Sequence, residues 1–269
     1  MKTIPFHKMV ASGNDFVVVD NRAKIIKDAS VFAKKVCALH QGAGADGLLL
    51  YEKSSKADFK MRILNLDGSE AAACGNGFRC IALFAREVMK RPAAMKFESG
   101  SGLVEAKIGA NEMVKVQLVK PRIFEMDGVI EVLGHRMHYA FLDTGVPHTV
   151  IFVEGLEKID VAGIGRAIRT HGRFGSAGTN VNFVEVKNKK EIAVRTYERG
   201  VENETLACGT GSTASVVVSV LKKYAKPPVT VTTRGGEKLV IDVMRKGADI
   251  QKVFLQGKAR FVYKGEYYL

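Results

Sequence analysis

Short β-rich runs separated by glycine turns set the pattern of the first half of the chain, at residues 15–20, 48–52, 59–64, 103–108 and 114–119. Two segments break that rhythm. Residues 30–40 carry Val31, Val36 and Leu39 among lysines, a spacing that predicts an amphipathic helix. Residues 77–89, with Phe78, Ile81, Ala82, Leu83, Phe84, Ala85 and Val88, are apolar nearly all round and predict a helix buried on every side. The second half repeats the scheme. Strands are expected at 137–142, 148–153, 181–186, 192–197, 229–233 and 238–243, a basic helix at 160–170, and a counterpart of the buried helix at 211–221, rich in Ser, Ala and Val.

The repetition extends to single residues. Ala73-Cys74-Gly75-Asn76-Gly77 opens the first apolar helix and Ala207-Cys208-Gly209-Thr210-Gly211 opens the second, 134 positions later in a chain of 269. At nearly the same offset Glu70 corresponds to Glu204, Gly44-Ala45-Asp46 to Gly178-Thr179-Asn180, and Gly13 to Gly145. A duplicated chain with one matched thiol per half predicts two lobes facing each other, with a sulfur from each in the cleft between them. The boundary is expected near Lys120-Pro121-Arg122, so that residues 1–120 carry Cys74 and residues 121–258 carry Cys208. A final strand at 259–263 would cross back, with 259–269 completing the first lobe. The expected fold class is α+β, each lobe a curved, mostly antiparallel sheet wrapped around a central buried helix.

A chain that is 46% hydrophobic can bury one large core or two modest ones, and the repeat favours two. It has no run of 18 apolar residues that would span a membrane, and its first residues lack the apolar core of a secretory signal. Four cysteines, at 37, 74, 80 and 208, do not form a small disulfide scaffold; free thiols fit a reducing cytoplasm. Without a CxxC pair or clustering, they do not suggest zinc either. The net charge of +13 comes from scattered lysines and arginines with only short clusters, so it reads as solvated surface rather than a nucleic-acid or membrane partner.

The chemistry lies in the paired cysteine boxes. A helix N-terminus stabilises a thiolate through unpaired N–H groups and the positive end of the dipole. Glycines after each cysteine expose those amides, which also suit a carboxylate. A substrate carboxylate held there, with a sulfur on either side of its α-carbon, suits racemisation or epimerisation: one thiolate removes the α-proton while the opposite thiol delivers another. Preorganised amides would stabilise the carbanion charge as it develops. No nicotinamide or phosphate-loop fingerprint is present and nothing marks a Schiff-base lysine, so no cofactor and no metal is implied. A single cysteine before Gly-x-Gly is more often a small buried hydrophobe; two at matched positions favour catalysis. Cys37 and Cys80 read as core.

Seven motifs in order resemble the diaminopimelate epimerases across essentially the whole chain. They are Phe6-His7-Lys8-Met9 with Gly13-Asn14-Asp15-Phe16; Gly44-Ala45-Asp46-Gly47; Asn65-Leu66-Asp67-Gly68-Ser69-Glu70; the first cysteine box through Arg79-Cys80; Gly145-Val146-Pro147-His148; Asn180-Val181-Asn182-Phe183; and Tyr197-Glu198-Arg199-Gly200 through Gly211. The resemblance implies a cofactor-independent, cytoplasmic isomerase interconverting LL- and meso-2,6-diaminopimelate, for lysine and peptidoglycan precursors, and a homodimer. It makes Cys74 and Cys208 the acid/base pair. Gly75, Asn76, Gly209 and Thr210 would hold the reacting carboxylate. Asn14, Asn65, Asn182, Glu198 and Arg199 would grip the distal amino-carboxylate, for which an Arg fork and a Glu are chemically apt. His148 and Glu198 would tune the thiols.

Blander readings stand beside these. Asn14 and Asn65 could simply make turns, Glu198-Arg199 could be a surface ion pair, and His148 a hydrogen-bonded structural histidine. Val146 stands where many members have Asn, and Gly47 where many have Gln. A proline- or hydroxyproline-type racemase of the same fold is the nearest alternative; a thiol redox protein or basic binding protein is the alternative from another class.

Overall fold

The computed structural model describes Lys2–Leu269. The chain clusters into two compact units, one of residues up to Gln117 together with Gln256–Leu269, the other Leu118–Leu255.

In the first unit β1 (Thr3–Ala11) and β2 (Asn14–Asp20) form an antiparallel hairpin. Ser12 and Gly13 turn it with φ of 51° and 79°, the two positive angles of a tight hairpin loop. Helix α1 (Ala29–Val36) leads to β3 (Gly47–Glu52), parallel to β2, and β4 (Phe59–Asn65) returns antiparallel. The short β5 (Glu70–Ala71) pairs with β4 and delivers the chain to α2 (Gly75–Glu87). Strand β6 (Ala94–Ser99) then runs parallel to β4, followed by β7 (Gly102–Ile108) and β8 (Met113–Leu118) in an antiparallel meander.

The second unit repeats this order. A hairpin joins β9 (Arg122–Val132) to β10 (His135–Asp143), and β11 (Pro147–Phe152) pairs antiparallel with β10. Helix α3 (Val161–Arg169) precedes β12 (Asn180–Asn188), parallel to β11. Strands β13 (Glu191–Glu198) and β14 (Asn203–Thr205) are antiparallel, and lead to α4 (Gly209–Leu221). Strand β15 (Val229–Thr233) is parallel to β13, with β16 (Lys238–Lys246) antiparallel to it and β17 (Asp249–Lys258) following. The last strand, β18 (Arg260–Tyr268), pairs antiparallel with β1 in the first unit.

Each unit is therefore a mixed α+β body with a mostly antiparallel sheet and two helices. Strands β2 and β3 are covered on both faces, which is why they read as continuous apolar runs rather than alternating ones. Val17, Val19, Leu48 and Leu50 pack with Phe32, Ala33 and Val36 of α1 in one cluster. Leu49, on the alternate face, approaches Gly77 of α2. In the second unit Val181, Phe183 and Tyr197 pack with Val161 and Ile168 of α3, which leaves Asn182 on the opposite face of β12, against α4. The two central helices are buried nearly all round: Phe78, Cys80, Ile81, Leu83 and Phe84 in α2, and Ala214, Val216, Val217, Val218 and Val220 in α4. Helix α4 has poor intrinsic helix formers, and burial rather than propensity holds it. Its buried hydroxyls are satisfied internally, Thr213 donating to the Gly209 carbonyl, Ser215 to Gly211 and Ser219 to Ser215. Among the described residues no helix is long and apolar enough to cross a membrane.

Several expectations need correction. The helix expected at 30–40 ends at Val36, because Cys37 closes it and His40 takes a φ of 65°. Its buried face is Ala29, Phe32, Ala33 and Val36, whereas Val31 and Leu39 are exposed. Both central helices begin two residues earlier than expected, at Gly75 and Gly209, and the first stops before Val88, which is partly exposed. Strands β1, β5, β6, β9, β14 and β17 were not anticipated.

Candidate active site

Both boxed cysteines occupy the same structural position, the residue immediately before a 13-residue buried helix. Cys74 has extended backbone (φ −154°, ψ 114°) and its Sγ accepts from the Gly77 N–H at 3.4 Å. Cys208 matches it, with φ −129°, ψ 109° and Sγ accepting from the Gly211 N–H at 3.4 Å. Each sulfur thus stands where Ser or Asp normally caps a helix, facing the unpaired amides of the first turn. The second glycine of each box is a packing requirement. A Cβ on Gly77 would lie 3.2–3.3 Å from Met61, Ile63 and Leu49, and one on Gly211 would lie 2.2 Å from Asn182 Oδ1 and 3.2 Å from the Cys208 sulfur.

In the first unit, α2 presents Gly75 and Asn76 directly after Cys74. The Asn76 amide donates to Asn14 Oδ1 at 3.3 Å, joining the start of α2 to the start of β2. Asn65, the last residue of β4, is exposed and sits in its own turn: its Nδ2 donates to Ser69 Oγ at 2.9 Å and its carbonyl accepts from Gly68. Gly47 has a steric reason, since a side chain there would meet the Leu64 carbonyl oxygen at 2.8 Å. Cys37 and Cys80 are buried, and burial pushes the Cys37 thiol up to about 12 and that of Cys80 higher still.

In the second unit, Cys208 is 8% exposed, and burial, reinforced by the negative charge of Glu198, pushes its thiol up to about 12. Hydrogen bonds from Thr210 and the Gly211 N–H oppose that rise without cancelling it. The Glu198 carboxyl beside the thiol is itself raised by burial and accepts from Thr205 Oγ1 at 3.0 Å. Thr144 Oγ1 donates to the Thr210 carbonyl at 3.1 Å and anchors the first turn of α4.

A second cluster adjoins it. Asn182 Nδ2 donates to the Thr149 carbonyl at 3.1 Å and lies 3.0 Å from His148 Nδ1, while its Oδ1 accepts from Thr196 at 3.0 Å. The carbonyl partner can only accept, so the amino group faces His148; Nδ1 is then the acceptor and the imidazole proton sits on Nε2. That Nε2 is buried without a hydrogen-bond partner among the described residues. Burial, followed by the nearby charge of Arg199, lowers His148 to about 3, so the ring is neutral. The Arg199 N–H is fixed by Asn180 Oδ1 at 2.9 Å, and Asn180 Nδ2 donates to the Pro147 carbonyl at 2.9 Å. Val146, in the adjoining turn, accepts from the Thr144 N–H through its carbonyl.

The structure therefore groups Cys74, Gly75, Asn76 and Asn14 in one unit, and Cys208, Gly209, Thr210 and Glu198 in the other with Asn182, His148 and Arg199 beside them. Sequence reasoning assigned no role to Asn180, Thr144, Thr196 and Thr205, which orient these groups, although Asn180 and Thr205 lie inside motifs it quoted. Among the described residues no three His, Cys, Asp or Glu side chains cluster as metal ligands.

The fold is that of a class of two-unit α+β proteins. The phenazine biosynthesis protein of the PhzF family from Bacillus anthracis superposes with a TM-score of 0.77 over 100% of both chains at 16% identity. A hydroxyproline epimerase from Agrobacterium vitis superposes with a TM-score of 0.70, over 98% of this chain and 92% of that one, also at 16% identity. At that identity the likeness is one of fold. Sequence is more specific. The family model described as diaminopimelate epimerase matches residues 6–124 and 140–262. The diaminopimelate epimerase of Aquifex aeolicus is 46% identical over 272 residues, covering 97% of this chain and 96% of that protein, and that of Chlorobaculum tepidum is 38% identical over 96% and 98%. The chain belongs to the diaminopimelate epimerase family.

Proposed function

We propose that this protein epimerises LL-2,6-diaminopimelate to meso-2,6-diaminopimelate without a cofactor, using Cys74 and Cys208 as the two acid/base groups. The observation that carries the reading is the matched capping position of the two sulfurs, each at the start of a buried helix in its own unit. In one direction the thiolate of one cysteine takes the α-proton and leaves the electron pair on the α-carbon. The other cysteine's S–H then gives its proton to the opposite face, forming a C–H bond and leaving a thiolate, so the roles swap after each turnover. Charge spreading into the substrate carboxylate meets the first-turn amides of Gly75 and Asn76, and of Gly209 and Thr210.

The environment of Cys208 favours one resting state. A buried thiol raised to about 12 beside the charge of Glu198 is protonated at neutral pH, which suits Cys208 to the part of proton donor. When the cycle runs in reverse, Cys208 starts as the thiolate left by the forward turnover, and a Glu198 carboxyl raised by burial can hold a proton beside that sulfur rather than a second negative charge. Arg199, held by Asn180, and Asn14, Asn65 and Asn182 are assigned to the distal amino-carboxylate. The same reading makes the protein a cytoplasmic homodimer supplying lysine and peptidoglycan precursors; sedimentation equilibrium tests the dimer.

The test is exchange of the substrate α-proton in deuterated water under reducing conditions, with LL-diaminopimelate and L-proline in parallel. Deuterium incorporation with appearance of the meso isomer, for diaminopimelate only, is expected. Exchange on proline would keep the chemistry and overturn the substrate. Silence on both, with the thiols confirmed reduced, would overturn the reading altogether.

A further inference from the structure

Two charged residues outside the assigned site bracket a chain of side-chain amides in the first unit. Arg79 is 0% exposed, one turn into α2. Its Nη2 donates to Asn76 Oδ1 at 2.6 Å and to Ser12 Oγ at 2.6 Å, and its Nη1 donates to the Lys258 carbonyl at 3.2 Å. Asn76 Nδ2 donates in turn to Asn14 Oδ1 at 3.3 Å, and Asn14 Nδ2 donates to Asp46 Oδ2 at 2.6 Å. Asp46 is itself fixed, its carboxylate accepting the Asp15 N–H at 3.0 Å and its own N–H donating to Asp15 Oδ1 at 2.9 Å.

The polarity of this chain is set at its ends. A guanidinium only donates and an ionised carboxylate only accepts. Arg79 therefore requires the Asn76 oxygen, and Asp46 requires the Asn14 nitrogen. With both ends fixed, the two amides meet in the only compatible way, nitrogen of Asn76 to oxygen of Asn14. Each amide keeps one N–H uncommitted by this chain. If either amide were flipped, it would turn its carbonyl oxygen toward a substrate carboxylate, which is repulsive, and place N–H against guanidinium or oxygen against carboxylate.

We propose that Arg79 and Asp46 are positioning residues that lock the amide orientations of Asn76 and Asn14, so that both present donors to the substrate. This rests on the reading of Asn76 and Asn14 as substrate-holding residues. It is tested by two double-mutant cycles, Arg79→Lys with Asn76→Ala and Asp46→Asn with Asn14→Ala, followed by kcat and KM for LL-diaminopimelate. Lysine keeps the charge but cannot reach Ser12, Lys258 and Asn76 together as a fork does. Asparagine at 46 is close to isosteric with aspartate and offers both donor and acceptor, so it no longer dictates how Asn14 lies.

Each single substitution is expected to lower kcat/KM by about tenfold, the worth of a misdirected hydrogen bond. In the Asp46→Asn protein the loss should fall mainly on KM. The decisive outcome is non-additivity: once Asn76 or Asn14 is alanine, changing Arg79 or Asp46 should add less than about twofold. Additive losses in either cycle overturn the proposal, because they show the charged residue acting on its own or through stability alone. Should Arg79→Lys fail to fold, the Asp46 cycle on exposed residues decides. If Asn76→Ala and Asn14→Ala leave kcat and KM unchanged, the substrate-holding reading itself fails and takes the proposal with it; that result is distinct from additivity.

Discussion

At the scale of single residues, a polar group buried in a neutral state links the candidate site to pH. His148 is fully buried, its ring lowered to about 3 by burial and then by Arg199, against an ordinary value of 6.5. The unfolded chain therefore binds a proton at this position between about pH 6.5 and 3 while the folded protein does not. Stability from this group is fully present above 6.5 and is lost as pH falls through that window, by about 5 kcal/mol in full. A His148→Gln protein should show a flatter decline of its urea midpoint between pH 7 and 4.5 than the parent; parallel declines would count against the assignment. What could be read in the sequence at this scale follows the same physics. Cys-Gly-x-Gly before an apolar helix is legible because a sulfur that caps the helix and a glycine that lets it pack closely need that residue order. Asn180 and Thr205 were not, because a polar residue on a strand looks the same whether it orients an arginine or faces solvent. Asn65 sits in a turn, as its blander reading has it, and is exposed.

At the scale of elements, the approach of α4 to β12 sets how tightly the second half-site is built. Gly211 lets the first turn of α4 lie against Asn182, whose three hydrogen bonds leave it little freedom to move. Gly211→Ala should therefore displace Asn182 and the Cys208 sulfur together, with kcat/KM lowered at least about tenfold and stability by about 1–3 kcal/mol. Gly172→Ala, where an added Cβ meets nothing within 4 Å, is the matched control and should do neither. Thermal melts and the exchange assay on the pair read both effects. Equal behaviour of the two variants would refute the packing argument. The central helices and the apolar strands β2 and β3 were legible because burial leaves a continuous hydrophobic signature. Strand β9 was not, since Gly128 and several exposed charged residues interrupt its alternation. Strand β1 was hidden by Pro5, His7 and Lys8, although Lys8 is buried and pairs with Asp15 at 2.8 Å. Helix α1 was overextended because Leu39 looks like a stripe residue until the chain turns away from the core.

At the scale of the whole molecule, the same order of strands and helices recurs in both units, and the sequence repeat was visible because the cysteine boxes and turn residues recur with it. The C-terminal strand carries a stability consequence inside the first unit. Strand β18 pairs with β1 from Thr3↔Tyr268 to Val10↔Arg260, so ten residues at the end of the chain supply one whole side of the β1 ladder. Side chains add to the ladder. Tyr267 packs edge-on against Phe32 of α1 at 5.5 Å, Tyr263 against Phe6 at 5.9 Å, and the Tyr263 hydroxyl donates to the Ala43 carbonyl. Tyr267 thereby covers the cluster that holds Ile4, Phe6, Phe32 and Val36. Removing residues 260–269 should open that cluster to water and leave β1 an unpaired edge, a liability for both stability and aggregation. Hydrogen exchange on the truncated protein should show protection lost first in β1 and α1, while the β6–β7 hairpin, which lies outside the cluster, keeps most of its own. Loss spread evenly over β1, α1 and the β6–β7 hairpin would mean that the first unit unfolds as a single block, and that β18 supports all of it rather than one layer.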